Sequence, residues 1–323
     1  MKAELDAGKL EEYIEQVSCE ITNCLNCQPR DSGEWIWVLG IKTYLPELLH
    51  DLDIPKSYQE AVTKDLTCPY CGTNIELESD VGIKNEYERY IDSKWEDWYR
   101  KYQDEFEEFF YFIEKHPYLG LHHKLGKQIY KQVPELPQIK IKEETWFRAR
   151  KVSGSKLLNT GGLFPADPEK IEIGEGRYNH FGQSVFYLVE DEYGAAAELL
   201  EESGLVWLQK FKLAKSEKII DLSHEISEEP NAGLDLLSFG LRYSSVLERR
   251  VKKSAGWKPE YFVPRFIADC AKSYGFNGIK FNSSRSYSRN LVLFSWEVKD
   301  IEPIEAPYIY KFDYNIDPLT SDF

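Results

Sequence analysis

Residues 174–188 read GEGRYNHFGQSVFYL, and this stretch decides how the second half of the chain is interpreted. Three glycines surround one arginine, and glycine permits the bends by which a loop comes close to a ligand. The aromatic and apolar run that follows favours a strand. We therefore predict a loop that presents Arg177, followed by a strand that carries Tyr187. A guanidinium forks onto phosphate oxygens, so Arg177 suits an anionic ligand.

Further polar residues stand in apolar surroundings on both sides of this loop. They lie in four segments, at residues 147–150 (FRAR), 195–199 (AAAEL), 278–284 (GIKFNSS) and 290–294 (NLVLF). Taken singly, each also has an ordinary structural reading, such as a surface ion pair for an arginine or a solvated helix position for Glu198. Their joint order and spacing carry the functional interpretation.

In this order the motifs resemble the RES domain family, named for its Arg, Glu and Ser, from about Thr145 to Trp296. The family pattern runs from an aromatic-Arg start through a Gly-Arg-aromatic-Asn turn, a Tyr-Leu strand and an Ala-x-x-Glu helix. It ends with a Gly-Ile-x-Tyr-x-Ser strand and an Asn-x-x-x-Phe strand. This sequence departs from the pattern at His180, where a proline often stands, and at Phe281, where the hydroxyl of a tyrosine is missing.

The resemblance implies an α+β fold, with an ADP-ribosyltransferase-like mixed sheet domain that takes NAD⁺ as its substrate. It implies functional residues at six positions: Glu198, Arg177 and Tyr187 as catalytic, and Arg148, Ser283 and Asn290 as NAD⁺-binding. Members of the family are toxins of toxin–antitoxin pairs. We therefore expect an NAD⁺ glycohydrolase or phosphorylase that depletes NAD⁺, with an antitoxin or a regulatory protein as its partner. Transfer of ADP-ribose to a macromolecule is the alternative activity.

The chemistry of these side chains agrees with that expectation. Breaking the bond between nicotinamide and ribose develops positive charge on the sugar, as glycoside cleavage does. A carboxylate such as Glu198 can stabilise this charge or activate the acceptor. Arg148 and Arg177 suit the pyrophosphate. Tyr187 can stack on nicotinamide, and Ser283 can hydrogen-bond ribose or phosphate.

Four of the six cysteines form two Cys-x-x-Cys pairs, Cys24 with Cys27 and Cys68 with Cys71. Two such pairs complete a closed shell of four thiolates, which is typical of a structural zinc site. The 40 residues between the pairs exceed the usual spacing of roughly 15–20, and a redox pair is the alternative. The region also resembles the zinc-bearing HEPN/RES-type extension before some RES domains. A third hypothesis, favoured by the departures at His180 and Phe281, is a non-catalytic, zinc-stapled interaction protein with a degenerate RES half.

The charge distribution and Pro134 with Pro137 indicate a division of the chain. Residues 1–144 carry 17 basic and 29 acidic residues, a net charge of −12, and the remainder carries −3. We predict a mainly helical zinc-binding domain at 1–137, a RES domain at 145–300 and a C-terminal tail at 301–323.

Hydrophobic periodicity predicts the elements of the first domain. Apolar residues at helical spacing favour helices at 1–20, 84–115 and 122–133. The segment 51–65 is predicted as a helix with turn residues at Asp53 and Pro55, and 34–41 is predicted as a strand. In 84–115 an aromatic stripe faces one way and acidic residues the other, which we interpret as a packed core face.

Composition excludes several classes of protein. The net charge of −15 argues against a nucleic-acid binder, because such binding requires Lys and Arg to neutralise phosphates. An aromatic content of 14% argues against disorder. The acidic N-terminus lacks the pattern of a signal peptide, and no apolar run approaches the roughly 20 residues of a membrane span. We expect a cytoplasmic protein without a membrane partner.

Overall fold

The computed structural model describes residues 5–31, 34–152, 158–223, 235–243 and 258–314. The described residues form two compact units, one up to Ser93 and one from Lys94 onward. The predicted boundary between residues 137 and 145 lies inside the second unit. The predicted division into independently folding domains at this boundary stays a prediction.

The first unit combines helices with a small antiparallel sheet. Its elements are α1 (Ala7–Glu20), β1 (Ile21–Cys24), β2 (Arg30–Asp31), β3 (Glu34–Trp35), β4 (Ile41–Tyr44), α2 (Leu45–Asp51), α3 (Lys56–Asp65) and β5 (Asp80–Ile83). Strand β5 lies between β1 and β4 and is antiparallel to both. The core contains Val17, Leu45 and Leu49, together with two of the paired cysteines, Cys24 and Cys68.

Two predicted elements of this unit are corrected by the structure. The segment 34–41 is not one strand, because β3 ends at Trp35 and β4 begins only at Ile41. The helix predicted over 51–65 is interrupted at the two predicted turn residues, Asp53 and Pro55, so only Lys56–Asp65 forms α3. Asp53 has a φ of 56°, a left-handed conformation that interrupts a helix, and α3 starts only after Pro55.

The second unit contains a larger sheet and its flanking helices. Its elements are α4 (Glu86–Lys115), which also supplies residues to the first unit, α5 (Lys124–Gln132), β6 (Gln138–Lys151), β7 (Phe186–Val189), α6 (Glu192–Ala197), β8 (Gly204–Asp221), α7 (Leu236–Tyr243), α8 (Phe262–Ser273), β9 (Gly278–Asn282), β10 (Arg289–Leu293), β11 (Ile301–Pro303) and β12 (Tyr308–Phe312).

The aromatic stripe of α4 is a packed face, as its periodicity predicts. Trp98, Tyr102, Phe106, Phe109 and Ile113 recur at steps of three and four residues, and all five are buried. The predicted helices at 84–115 and 122–133 correspond to α4 and α5 within two residues at each end.

The strands of the second unit form a mixed sheet in the order β11-β8-β6-β7-β10-β9. The C-terminal end of β8, Ile219–Asp221, also pairs with β9, and this pairing is parallel. Strands β8, β6, β7, β10 and β9 therefore form a closed ring. All other pairings in this sheet are antiparallel. The predicted mixed α+β architecture is therefore confirmed, and its ADP-ribosyltransferase-like class stays a prediction.

The segment after residue 300 continues the sheet instead of forming a separate tail. Strands β11 and β12 both pair with β8, so this part of the chain belongs to the second unit as far as Phe312. The last nine residues of the predicted tail, 315–323, lie outside the described residues. Among the described helices, none is both long and apolar enough to cross a membrane.

Candidate functional site

A cavity of about 540 Å³ opens on the second unit where β6, β7, β9 and β10 meet α6 and the loop 174–182. Five of the six site residues predicted from sequence line this cavity: Arg148, Arg177, Tyr187, Glu198 and Asn290. The sixth, Ser283, contacts the side chain of Glu198. Residues that are distant in sequence are therefore brought together in one place.

Glu198 directly follows α6, and its carboxylate is held from two strands. Ser283 Oγ donates to Glu198 Oε1 over 2.7 Å, and Asn290 Nδ2 donates to the same oxygen over 2.6 Å. Ser283 and Asn290 are buried. Both printed contacts go to Oε1, so the protein fixes one carboxylate oxygen and leaves Oε2 without a hydrogen-bond partner among the described residues.

The observed role of Ser283 is to hold the Glu198 carboxylate by a hydrogen bond. Its hydroxyl also accepts the amides of Arg285 and Ser286, at 3.0 and 3.2 Å. These three bonds use the donor and both acceptor sites of a serine hydroxyl. The predicted contact of Ser283 with ribose or phosphate therefore stays a prediction, and the observed contacts orient the carboxylate.

Asn290 presents one buried polar atom without a partner. It lies in the middle of the sheet, opposite Val189 of β7 and Phe281 of β9. Its Nδ2 faces the Glu198 carboxylate, which accepts only, so its amide orientation is fixed. Asn290 Oδ1 is buried and has no hydrogen-bond partner in the described part of the chain. A ligand that donates a hydrogen bond would satisfy it.

The loop that carries Arg177 is pinned to the sheet by Tyr187. The phenol oxygen accepts the amide of Tyr178 over 2.9 Å and donates to Asn179 Oδ1 over 3.2 Å. Burial raises the pKa of Tyr187 well above its ordinary value, so the group stays protonated and can keep donating. A Cβ on Gly176 would lie 2.3 Å from Asn179 Oδ1, which explains why glycine is required there.

Arg177 reaches the cavity from this loop. Its Nη2 donates to Ser284 Oγ over 3.0 Å, and its guanidinium carbon lies 5.4 Å from the centre of the Tyr261 ring. The ring attracts the cation through its negatively charged face, so Tyr261 helps to hold the guanidinium at the cavity wall.

Arg148 supplies the second guanidinium, from β6. Its Nη1 is buried and has no hydrogen-bond partner among the described residues. Burial, with the charge of Arg150 nearby, lowers the pKa of Arg148 to about 10. Because unpaired buried cations are unfavourable, this guanidinium is suited to an anionic ligand.

Sequence reasoning missed several residues of the cavity wall. Lys258, Tyr261, Ser284, Arg285 and Glu175 also line it. Ser284 and Glu175 stand beside predicted residues and were within reach of the motifs. Lys258 and Tyr261 precede α8 and belong to no motif, so only the folded chain places them here.

The four paired cysteines form a separate cluster in the first unit. Their sulfur atoms lie within 4.8 Å of one another, and the closest pairs are 3.5, 3.7 and 3.8 Å apart. A zinc–sulfur bond of about 2.3 Å in a tetrahedron separates sulfurs by about 3.8 Å, so this donor set fits one tetrahedral ion. Gly72 has a φ of 73°, as the turn after Cys71 requires. Cys19 and Cys270 lie outside the cluster.

Comparison with known proteins identifies the second unit. The RES domain family model matches residues 146–317, which is more than half of the chain. A match among solved structures is the crystal structure of the M. tuberculosis MbcT–MbcA toxin–antitoxin complex, at 12% identity and a TM-score of 0.33. That match covers 58% of this chain and 92% of the other. No curated protein matches.

Proposed function

This chain belongs to the RES domain family, and on that premise we propose that it cleaves the nicotinamide–ribose bond of NAD⁺ and acts as a toxin or defence enzyme. An antitoxin or a regulatory protein is the corresponding partner. The observation that carries the proposal is a carboxylate with one fixed and one open oxygen in a cavity with two guanidiniums.

The geometry supports a division of labour among the cavity residues. Arg148 and Arg177 would bind the pyrophosphate, since each can fork onto phosphate oxygens. Asn290 Oδ1 would accept a hydrogen bond from a ribose hydroxyl or from the carboxamide of nicotinamide. These contacts would place the ribose against Glu198.

Glu198 would act at the reacting carbon. As the bond from ribose C1′ to the nicotinamide nitrogen breaks, its electron pair leaves with nicotinamide and positive charge develops on the ribose. The carboxylate stabilises that charge, and the acceptor forms the new bond at C1′. With water as acceptor, the proton passes to the carboxylate and the product is ADP-ribose. With phosphate, the product is ADP-ribose 1″-phosphate.

Nicotinamide release tests the proposal. Purified protein is incubated with NAD⁺, with and without inorganic phosphate, and nicotinamide is quantified by chromatography. Glu198→Gln is expected to lower the rate at least about 100-fold, since it removes the charged group. Glu202→Gln is the matched control because Glu202 is exposed on the same segment.

Two results would contradict the proposal: no nicotinamide release by the wild-type protein under either condition, or equal release by the Glu198→Gln variant. Labelled NAD⁺ distinguishes the acceptors. Label in free ADP-ribose indicates water, label in its 1″-phosphate indicates phosphate, and label on protein indicates the transferase activity instead.

We also propose that Cys24, Cys27, Cys68 and Cys71 hold a structural Zn²⁺. The tetrahedral sulfur spacing supports this, as does the position of Cys24 and Cys68 in the core of the first unit. Four protein ligands fill a tetrahedral shell and leave no position for substrate, so the ion would stabilise the fold.

A further inference from the structure

Arg265 is a charged residue inside an otherwise apolar part of α8. Only 3% of its surface is exposed, and Val263, Phe266 and Ile267 around it are buried as well. It lies outside the segments that resemble the family motifs. An apolar residue would pack at such a position without the cost of removing a charge from water. The contacts of the guanidinium therefore need an explanation.

The hydrogen bond and the ion pair of the guanidinium both go to the loop that carries Arg177. Arg265 Nε donates to the carbonyl oxygen of Gly176 over 2.9 Å, and Arg265 Nη1 pairs with Glu175 Oε2 at 2.8 Å. The carbonyl of Gly176 belongs to the peptide group that joins Gly176 to Arg177. Arg265 thus binds the backbone directly before the arginine of the cavity.

A second set of hydrogen bonds holds the same residue, Gly176, through its amide. The amide of Gly176 donates to the carbonyl of Asn179 over 3.1 Å, and Asn179 is bonded to Tyr187. Because its carbonyl is bound by Arg265 and its amide by Asn179, the backbone at Gly176 has little freedom to turn.

A shared aromatic ring adds a second link between the two arginines. The guanidinium carbons of Arg177 and Arg265 lie 5.4 and 5.5 Å from the centre of the Tyr261 ring. The ring therefore contacts both cations, at a distance typical of cation–π interactions.

We propose that Arg265 is a positioning residue: by fixing the Glu175–Gly176 backbone it holds the Arg177 guanidinium at the cavity wall. A planar guanidinium can reach a carboxylate and a carbonyl together through its rigid fork, whereas the lysine ammonium is a single point of charge. The consequence for NAD⁺ rests on the proposed function, whereas the effect on the loop does not.

Hydrogen exchange of the loop tests the structural part without any nucleotide. In Arg265→Met, the peptide covering residues 174–182 is expected to exchange about tenfold faster, because its backbone opens more often. Arg242→Met is the matched control, since Arg242 Nε also donates to a backbone carbonyl, that of Ser223, and neither residue lines the cavity. It should leave the 174–182 peptide unchanged.

The Arg265→Lys and Glu175→Gln variants keep the test decisive if the methionine variant does not fold. Both variants retain most of the packing. Arg265→Lys loses the two-pronged guanidinium and Glu175→Gln loses the carboxylate that pairs with it, so both should speed exchange of the 174–182 peptide. Wild-type exchange in folded variants at all three substitutions would overturn the proposal.

A double-mutant cycle tests the coupling to Arg177. Arg265→Met is expected to lower kcat/KM for nicotinamide release about 100-fold, the loss typical of a displacement of about 1 Å. It should cause little further loss in an Arg177→Ala background, because the residue it positions is gone. If Arg265→Met lowers kcat/KM by the same factor in the Arg177→Ala background as in the wild type, the two residues are not coupled. If the wild type releases no nicotinamide, the proposed function fails, and the exchange data still decide the role of Arg265.

Discussion

The charge of Arg148 suits an anionic ligand but lowers the stability of the folded protein. Arg148 is half-buried, its Nη1 is buried without a hydrogen-bond partner among the described residues, and burial lowers its pKa from the ordinary 12.5 to about 10. The unfolded chain therefore holds this proton more tightly than the folded chain does. Below pH 10 the buried charge lowers the free energy of unfolding, and the penalty disappears as pH rises from 10 towards 12.5. An anion bound in the cavity would offset it.

We expect Arg148→Met to stabilise the protein and abolish its binding of NAD⁺. The lowered pKa corresponds to a penalty of about 3 kcal/mol at neutral pH, so the free energy of unfolding should rise by about 1–3 kcal/mol. Urea denaturation measures the stability, and the shift of the melting temperature with millimolar NAD⁺ measures binding. The exposed Arg150→Met is the control, with an expected change within about 1 kcal/mol. A less stable Arg148→Met variant would refute this reading of the buried charge.

At the scale of single residues, the sequence indicated which residues lie together but not which hydrogen bonds they form. The motifs named five residues that line one cavity, because each belongs to a segment whose local pattern is recognisable. The hydrogen bonds of Ser283 to Glu198 and of Tyr187 to the 174–182 loop depend on how those segments pack against each other. Tyr261 and Arg265 have no local pattern that points to a site.

At the scale of elements, the loop 174–182 is attached to α8 at a second place. His180 Nε2 lies 2.7 Å from Asp269 Oδ2, and Lys272 of the same helix lies 3.4 Å from Asp269 Oδ1 and donates to Gln183 Oε1. Burial alone would raise the pKa of Asp269, but the hydrogen bond with His180 and the charge of Lys272 hold it below its ordinary value. The departure of His180 from the family pattern is thus associated with a contact to Asp269 on α8.

This pair makes a predictable contribution to acid stability. A carboxyl group whose pKa is lower in the folded state stabilises the fold above its ordinary pKa, and that contribution is lost as pH falls through the lowered pKa. Asp269→Asn should therefore lower the free energy of unfolding by about 0.5–1 kcal/mol at pH 7. The difference from wild type should vanish at acid pH, once pH has fallen through the lowered pKa of Asp269 and the carboxyl group is protonated in both states. Urea midpoints at both pH values measure this.

Asp104→Asn is the control for Asp269→Asn, because Asp104 is exposed on α4. Its urea midpoint should match the wild type at both pH values. A difference between Asp269→Asn and the wild type that persists at low pH would mean that the substitution acts through packing and not through the ion pair.

The quality of the element predictions follows from how strong the local signal is. Helix α4 is 30 residues long, with aromatic residues along one face and acidic residues along the other. Its ends were predicted within two residues. The segments 34–41 and 51–65 are short, and their interruptions arise from tertiary context and from the left-handed Asp53. The closure of the β8–β9 ring joins residues about 60 positions apart, and no sequence pattern carries that pairing.

At the scale of the whole molecule, acidity is concentrated in the first unit. Residues 1–93 carry 19 acidic and 8 basic residues, so most of the net charge of −15 lies there. The cations of the cavity, Arg148, Arg177, Lys258 and Arg285, belong to the second unit. Net charge over the full chain therefore says little about the anion that this cavity would take.

Metal removal is the experiment that addresses the first unit as a whole. Four thiolates at tetrahedral spacing should bind one zinc per chain, and in small domains such binding free energy is folding free energy. We expect chelation, or Cys68→Ser, to lower the melting temperature of a transition assigned to the first unit, with loss of the ion measured by atomic emission. Cys19→Ser is the control, because this exposed thiol lies outside the cluster. If the wild-type protein binds no zinc, or if Cys68→Ser retains a full equivalent, the cysteines serve another purpose, and the redox pair considered from sequence becomes the reading to test.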